Sequence, residues 1–133
     1  MLWNRKFETG NEMVDSQHKE LYVLVQKVLD IDFFADRKEK ISTALGFLAD
    51  YTVRHFQSEE SLMDECNYPA SAEHKKQHSD FVEEVSAFIK RFEVEGDKIN
   101  LSQAVNWLVV DWLQEHIMGS DKELADYYKN FKT

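Results

Sequence analysis

Between His55 and His78 the chain carries two helical pairs of donor side chains on either side of one sharp break: His55 with Glu59, a turn at Asn67-Tyr68-Pro69, then His74 with His78. Residues four apart on an α-helix lie about 40° apart in azimuth and about 6 Å apart in rise, so each pair aims both side chains the same way. Pro69 is the only proline of the chain. It suits the first turn of a helix and is barred from a helix interior, which sets the two pairs on consecutive helices. They converge only if those helices pack antiparallel.

Such a frame needs long helices and few turns. Four glycines and one proline in 133 residues leave little turn material, while 43% apolar and 31% charged residues are ordinary for a globular chain. This length is that of one domain, expected over residues 1–133. A formal net charge of −9 speaks against nucleic acid and against an anionic membrane as partners. Cys66 is the only cysteine, which rules out an internal disulfide or a thiolate cluster and points to a reducing compartment. The segment Met1-Leu2-Trp3-Asn4-Arg5-Lys6 has no apolar signal core, and no apolar run reaches the length of a membrane span, so a cytoplasmic protein is expected.

Residues 1–14, with a turn signal at Gly10-Asn11, read as an arm that lays Trp3 and Phe7 on the domain. A first helix is expected from Asp15 or Ser16 to about Phe34, with Leu21, Leu24, Val25, Val28 and Leu29 inward and His18 on the same side. Asp36-Arg37-Lys38-Glu39 has the form of a capping box and opens the longest helix, whose inward stripe runs Ile41, Leu45, Leu48, Thr52, His55, Glu59, Leu62. After Pro69 a third helix carries His74, His78, Phe81, Val85, Phe88 and Phe92 at alternating spacings, ending at Gly96-Asp97. Asn100 and Gln103 open a fourth, with Leu101, Val105, Leu108, Trp112 and His116 along one seam. Ser120 and Glu123 then cap a short terminal helix through about Phe131. The expected fold class is all-α: an antiparallel up-down-up-down four-helix bundle with an N-terminal arm and a short C-terminal helix.

All five histidines, His18, His55, His74, His78 and His116, fall on the inward seams of four different helices. Buried without partners, each would cost on the order of several kcal/mol, so something must satisfy them, and a metal does so most directly. Asp121 lies five residues past His116, about 140° away on an unbroken helix. Gly119 between them offers a break that swings Asp121 back to the same centre; in the other reading Asp121 only caps the next helix. Five nitrogens and two carboxylates exceed the four donors of a tetrahedral zinc site. Two metal ions fit better, with iron, copper or zinc ahead of calcium and magnesium. The Glu-x-x-His pairs of ferritin-like di-iron proteins are missing from the sequence, Asp15-Ser16-Gln17-His18 being the nearest approach.

Taken together, Asp15-x-Gln17-His18, His55-Phe56-x-x-Glu59-Glu60, Tyr68-Pro69, His74-x-x-x-His78 and His116-Ile117-x-x-x-Asp121 resemble the hemerythrin family, its bacterial members in particular, in this order and over nearly the whole chain. The resemblance implies a non-haem di-iron centre inside the bundle. One iron would be held by His74, His78 and His116 and the other by His18 and His55, with Glu59 and Asp121 bridging both and an oxo or hydroxo group completing the pair. No ligand position departs from the family pattern. The iron with two nitrogens keeps a vacant position for dioxygen, and Leu21, Phe56, Trp112, Leu113 and Ile117, next to the ligands, are expected to form its pocket. Leu113, three before His116, and Leu21, three after His18, share the faces that carry those ligands.

On this footing the expected function is reversible oxygen binding, for transport, storage or buffering, with dioxygen as the ligand and no enzymatic turnover. The formal charge of such a centre is the same before and after oxygen uptake, so no charge need enter an apolar pocket. One alternative is a di-iron reductase of oxygen, peroxide or nitric oxide. It would want a proton donor, which Leu21, Phe56, Trp112, Leu113 and Ile117 do not offer. Another is an oxygen or redox sensor acting through a separate protein partner, and a third is a purely structural two-metal bundle. Cys66, near a helix end, is read as inert.

Overall fold

A computed structural model of the chain describes residues 5–31, 37–95, 103 and 111–132. A 3-10 turn at Arg5–Phe7 precedes α1 (Glu12–Ile31), α2 (Arg37–Cys66), α3 (Ser71–Glu95) and α4 (Trp112–His116). A π-helical turn (Ile117–Asp121) then leads into α5 (Lys122–Lys132). This is the expected all-α antiparallel bundle, with α1 packed on α2 and α2 on α3. Leu21, Val25 and Val28 of α1 meet Ile41, Leu45 and Leu48 of α2 in one core, which Phe81, Phe92, Leu113 and Ile117 complete. Each such side chain contributes about 1.5–3 kcal/mol by leaving water. Among the described residues no helix is long and apolar enough to cross a membrane.

α1 starts earlier than the sequence suggests. Asn11, rather than Asp15 or Ser16, is its cap: the Asn11 Oδ1 accepts the Val14 N–H at 3.0 Å. The Asp15 carboxylate is thereby left to pin the arm, accepting from Thr9 N and Thr9 Oγ1, each at 2.8 Å, and from Gly10 N at 3.2 Å. Gly10 turns the chain there with φ 92, a conformation that a side chain would strain. Phe7 is buried and stacks on Tyr22 at 5.6 Å, as the arm requires; Trp3 lies outside the described residues.

The stripe of α2 runs as expected through Glu59 and then continues at Met63, which is fully buried, and not at Leu62. A step of four keeps the seam straight where a step of three would have turned it outward. Thr52 on this stripe satisfies its hydroxyl by donating to Leu48 O at 2.7 Å. The helix is closed by Asn67, in left-handed conformation at φ 50, with Tyr68 N–H donating to Met63 O at 2.9 Å. Asn67 therefore ends α2, and Pro69 only prevents its renewal. The expected Phe34 end, the Asp36 cap, Gly96-Asp97, Asn100, Leu101, Val105 and Leu108 lie outside the described residues, as does the side chain of Leu29.

Candidate metal centre

α1 delivers His18, α2 His55 and Glu59, α3 His74 and His78, α4 His116, and the π turn Asp121; all seven are buried. Their donor atoms form two overlapping groups. Glu59, His74, His78, His116 and Asp121 make one, and His18, His55, Glu59 and Asp121 the other, with the donors of each group within 4.8 Å of one another. Glu59 and Asp121 belong to both.

Asp121 reaches the cluster by a route other than the expected break at Gly119. Ile117 and Lys122, at the two junctions, are right-handed helical with φ −63, and the Lys122 N–H reaches Ile117 O five residues back. In a π turn residues five apart stack, so one extra residue in the turn brings Asp121 under His116. Gly119 is not among the positive-φ residues. Ser120 does not cap a new helix either; its Oγ donates to Gln77 Oε1 at 2.8 Å.

Ring orientation is set from outside the cluster. His55 Nδ1 lies 2.7 Å from Gln17 Oε1, and the same amide donates through Nε2 to Ser58 Oγ at 3.3 Å. His78 Nδ1 lies 3.0 Å from Glu60 Oε2. Amide and carboxylate oxygens only accept, so both histidines carry their proton on Nδ1 and turn an Nε2 lone pair to the centre. The Nε2 atoms of His74 and His78 stand 3.0 and 3.1 Å from that of His116. A proton can serve only one such contact, whereas a cation can engage all three lone pairs. Glu59 adds two buried oxygens without a well-directed hydrogen bond, although His55 Nε2 and His78 Nε2 face one of them at 3.2 and 3.4 Å. A donor set that is buried, convergent and short of protons fits metal ions.

The same crowding shifts the protonation of the metal-free cluster. Burial, then the neighbouring His18, pushes the His55 pKa down to about 3; burial, then His116 and His74, pushes His78 down to about 2. Glu59 is held well above the usual carboxyl value by burial and by Asp121. Burial also pushes Asp121 up, but His116, His18 and His74 together outweigh it and hold that carboxyl well below its usual value. His18 Nε2 approaches Asp121 Oδ2 to 2.8 Å.

The five side chains read as pocket residues divide between two neighbourhoods. Phe56 stacks on His78 with ring centres 3.8 Å apart, and Trp112 on His116 at 4.4 Å, both over the three-histidine group. Leu21, Leu113 and Ile117 are buried in the adjoining apolar core. Gln17 and Glu60 were visible in the sequence as part of the motif, but their hold on the imidazoles was not read from it. The signal was there: each is a hydrogen-bonding residue one position off the ligand stripe. Tyr22, one helical turn after His18, is buried, and burial pushes its pKa up to about 12.

The hemerythrin HHE cation binding domain, as a family model, matches residues 9–128. The chain is 31% identical to a bacteriohemerythrin of Clostridium acetobutylicum over 129 residues, covering 94% of this chain and 98% of that one. It is 35% identical to a bacteriohemerythrin of Methylococcus capsulatus over 123 residues, 92% of each. A crystal structure of wild-type hemerythrin superposes with a TM-score of 0.85 at 32% identity, over 96% of this chain and 97% of that one.

Proposed function

Since the chain belongs to the hemerythrin family, we propose that its buried cluster holds two iron ions and serves to bind dioxygen reversibly, for transport, storage or buffering. His74, His78 and His116 would hold one iron and His18 and His55 the other. Glu59 and Asp121, which belong to both donor groups, would serve both ions, and an oxo or hydroxo group would complete the set. The observation that carries this reading is the overlap of two donor groups on two shared carboxylates; a single ion would leave much of the set unused. When bound, the iron pair supplies the electrons that oxygen takes up.

The chain's own residues do the rest. Gln17 and Glu60 keep the protons of His55 and His78 on Nδ1, so that both Nε2 atoms remain ligands. With two histidines against three, the His18–His55 end is the one left to take oxygen, Leu21, Leu113 and Ile117 of the core keep water from it, and Phe56 and Trp112 wall His78 and His116. None of these five gives up a proton at neutral pH, which favours carrying oxygen over reducing it. The chain is therefore read as a binding protein and not an enzyme, one domain over residues 1–133, acting in the cytoplasm.

The test is to reduce the iron-loaded protein without air, admit oxygen, and follow the visible spectrum. A band that develops with oxygen and is lost when oxygen is removed, over repeated cycles, supports the carrier. Continuous consumption of reductant would instead make the protein a reductase.

A further inference from the structure

His116 and His74 are the most exposed members of the cluster, at 5% and 3%, where Glu59 and His18 are at 0%. Both border the surface at one place. Beside His116 lies a hollow of about 460 Å³ lined by Glu73, Gln77, Glu115, Ser120 and Glu123, and beside His74 one of about 60 Å³ that shares four of these residues. The hydrogen bond from Ser120 Oγ to Gln77 Oε1, at 2.8 Å, ties α3 to the π turn between them. Gly119 adds no side chain to the larger hollow, and a Cβ there would meet nothing within 4 Å.

His74 is also held differently from its neighbours. Its Nε2 faces Asp121 Oδ1 and His116 Nε2, each at 3.0 Å, so Nδ1 lies on the ring edge turned away from the cluster, and the residue lines the smaller hollow. That Nδ1 is buried and has no hydrogen-bond partner. His55 and His78 are anchored through Nδ1 by Gln17 and Glu60 and cannot turn without breaking those bonds. His74 loses no Nδ1 bond by turning, and its outer nitrogen is a ready first ligand for an arriving cation.

We propose that this hollow is the door through which ferrous ions enter and leave the cluster. Glu73, Glu115 and Glu123 draw the dication in, the Gln77–Ser120 bond is the latch, and His74 passes the ion inward to His116 and Asp121. A pocket lined by carboxylates and by no lysine or arginine concentrates cations and stabilises one in transit, in either direction. This inference rests on the di-iron reading.

The experiment uses the iron-loaded, reduced protein under anaerobic conditions, with ferrous ion of a different isotope as the only probe, and follows exchange by mass spectrometry of the intact protein. Metal analysis comes first: a preparation without two irons per chain overturns the di-iron reading itself. With two irons present, the triple variant Glu73→Gln, Glu115→Gln, Glu123→Gln should exchange several-fold more slowly than the parent at low salt, with the gap closing at high salt. Ser120→Ala should exchange several-fold faster. The variant Glu83→Gln, Glu84→Gln, Glu93→Gln makes the same change in net charge at exposed positions of α3 away from the hollow, and should exchange like the parent. If the first triple variant keeps the parent rate, or the second slows as much as the first, the door is elsewhere.

Discussion

His116 Nε2 stands 2.9 Å from Asp121 Oδ1 across five residues of chain. An ideal α-helix would separate them by about 140°, and the extra residue of the π turn removes that offset. Gly119 has neither a left-handed φ nor a neighbour that a methyl group would strike. Gly119→Ala is therefore expected to keep the full iron content and to gain about 0.5–1 kcal/mol of stability from the stiffer helical backbone. Deleting Met118, which is exposed, leaves Asp121 four residues after His116, the spacing at which a regular α-helix already aims both side chains the same way, so the π turn should become α-helical with the metal retained. Iron per chain and urea midpoints check both; iron lost from Gly119→Ala would mean that the turn depends on glycine after all.

Glu60 and Gln17 should matter to metal retention although neither faces the centre. Removing the partner of a ligating imidazole typically weakens metal binding about 10- to 100-fold. Glu60→Ala and Gln17→Ala are each expected to lose iron to a competing chelator in that range, and Glu60→Gln, which still offers an oxygen to His78 Nδ1, to lie between Glu60→Ala and the parent. Equal retention in Glu60→Ala and the parent would leave the 3.0 Å contact with His78 without consequence.

The metal-free protein should be less stable in acid, and the sign follows from the histidines. Folded His55 and His78 titrate near 3 and 2 because burial disfavours their charged forms, against 6.5 in the unfolded chain. As pH falls below about 6.5, the unfolded state takes up protons that the folded state refuses, so stability drops by about 1.4 kcal/mol per pH unit for each histidine. Glu59, whose pKa is raised, works the other way above its unfolded value of 4.5, with at most one such slope. The net slope keeps the histidines' sign. Urea midpoints of the metal-free protein at about pH 6.5 and about pH 5 measure it; a midpoint that holds steady or rises on acidification contradicts this account.

The bundle and the convergence of six of the seven side chains were legible because both are periodic: His55, Glu59, His74 and His78 sit on stripes that the core itself requires. What escaped was settled by contacts rather than by period. Asn11 and Asp15 are both good capping types, and only the hydrogen bonds show that Asn11 caps α1 while Asp15 holds Thr9 and Gly10. The spacing from His116 to Asp121 fits either a helix break or a π turn, and a glycine midway favoured the wrong one. The latch between Ser120 and Gln77 joins residues 43 apart on two different helices, and no local pattern announces it.

Leu113 provides the sharpest test of where oxygen binds. It is buried at 2% exposure, packed in the core with Leu21, Phe56 and Ile117, and sits one helical turn before His116. Leu113→Ala should cost about 2–5 kcal/mol of stability as a cavity-forming change. A lost core contact alone would stop there. If Leu113 also keeps water from the oxygen site, the variant should still hold two irons, yet its oxygen-loaded form should pass to the ferric state faster than the parent's. The lifetimes are compared by visible absorption at matched temperature and pH, with iron content measured before and after. Equal lifetimes, in a variant that is less stable but fully loaded, would make Leu113 ordinary core and move the oxygen site away from this wall.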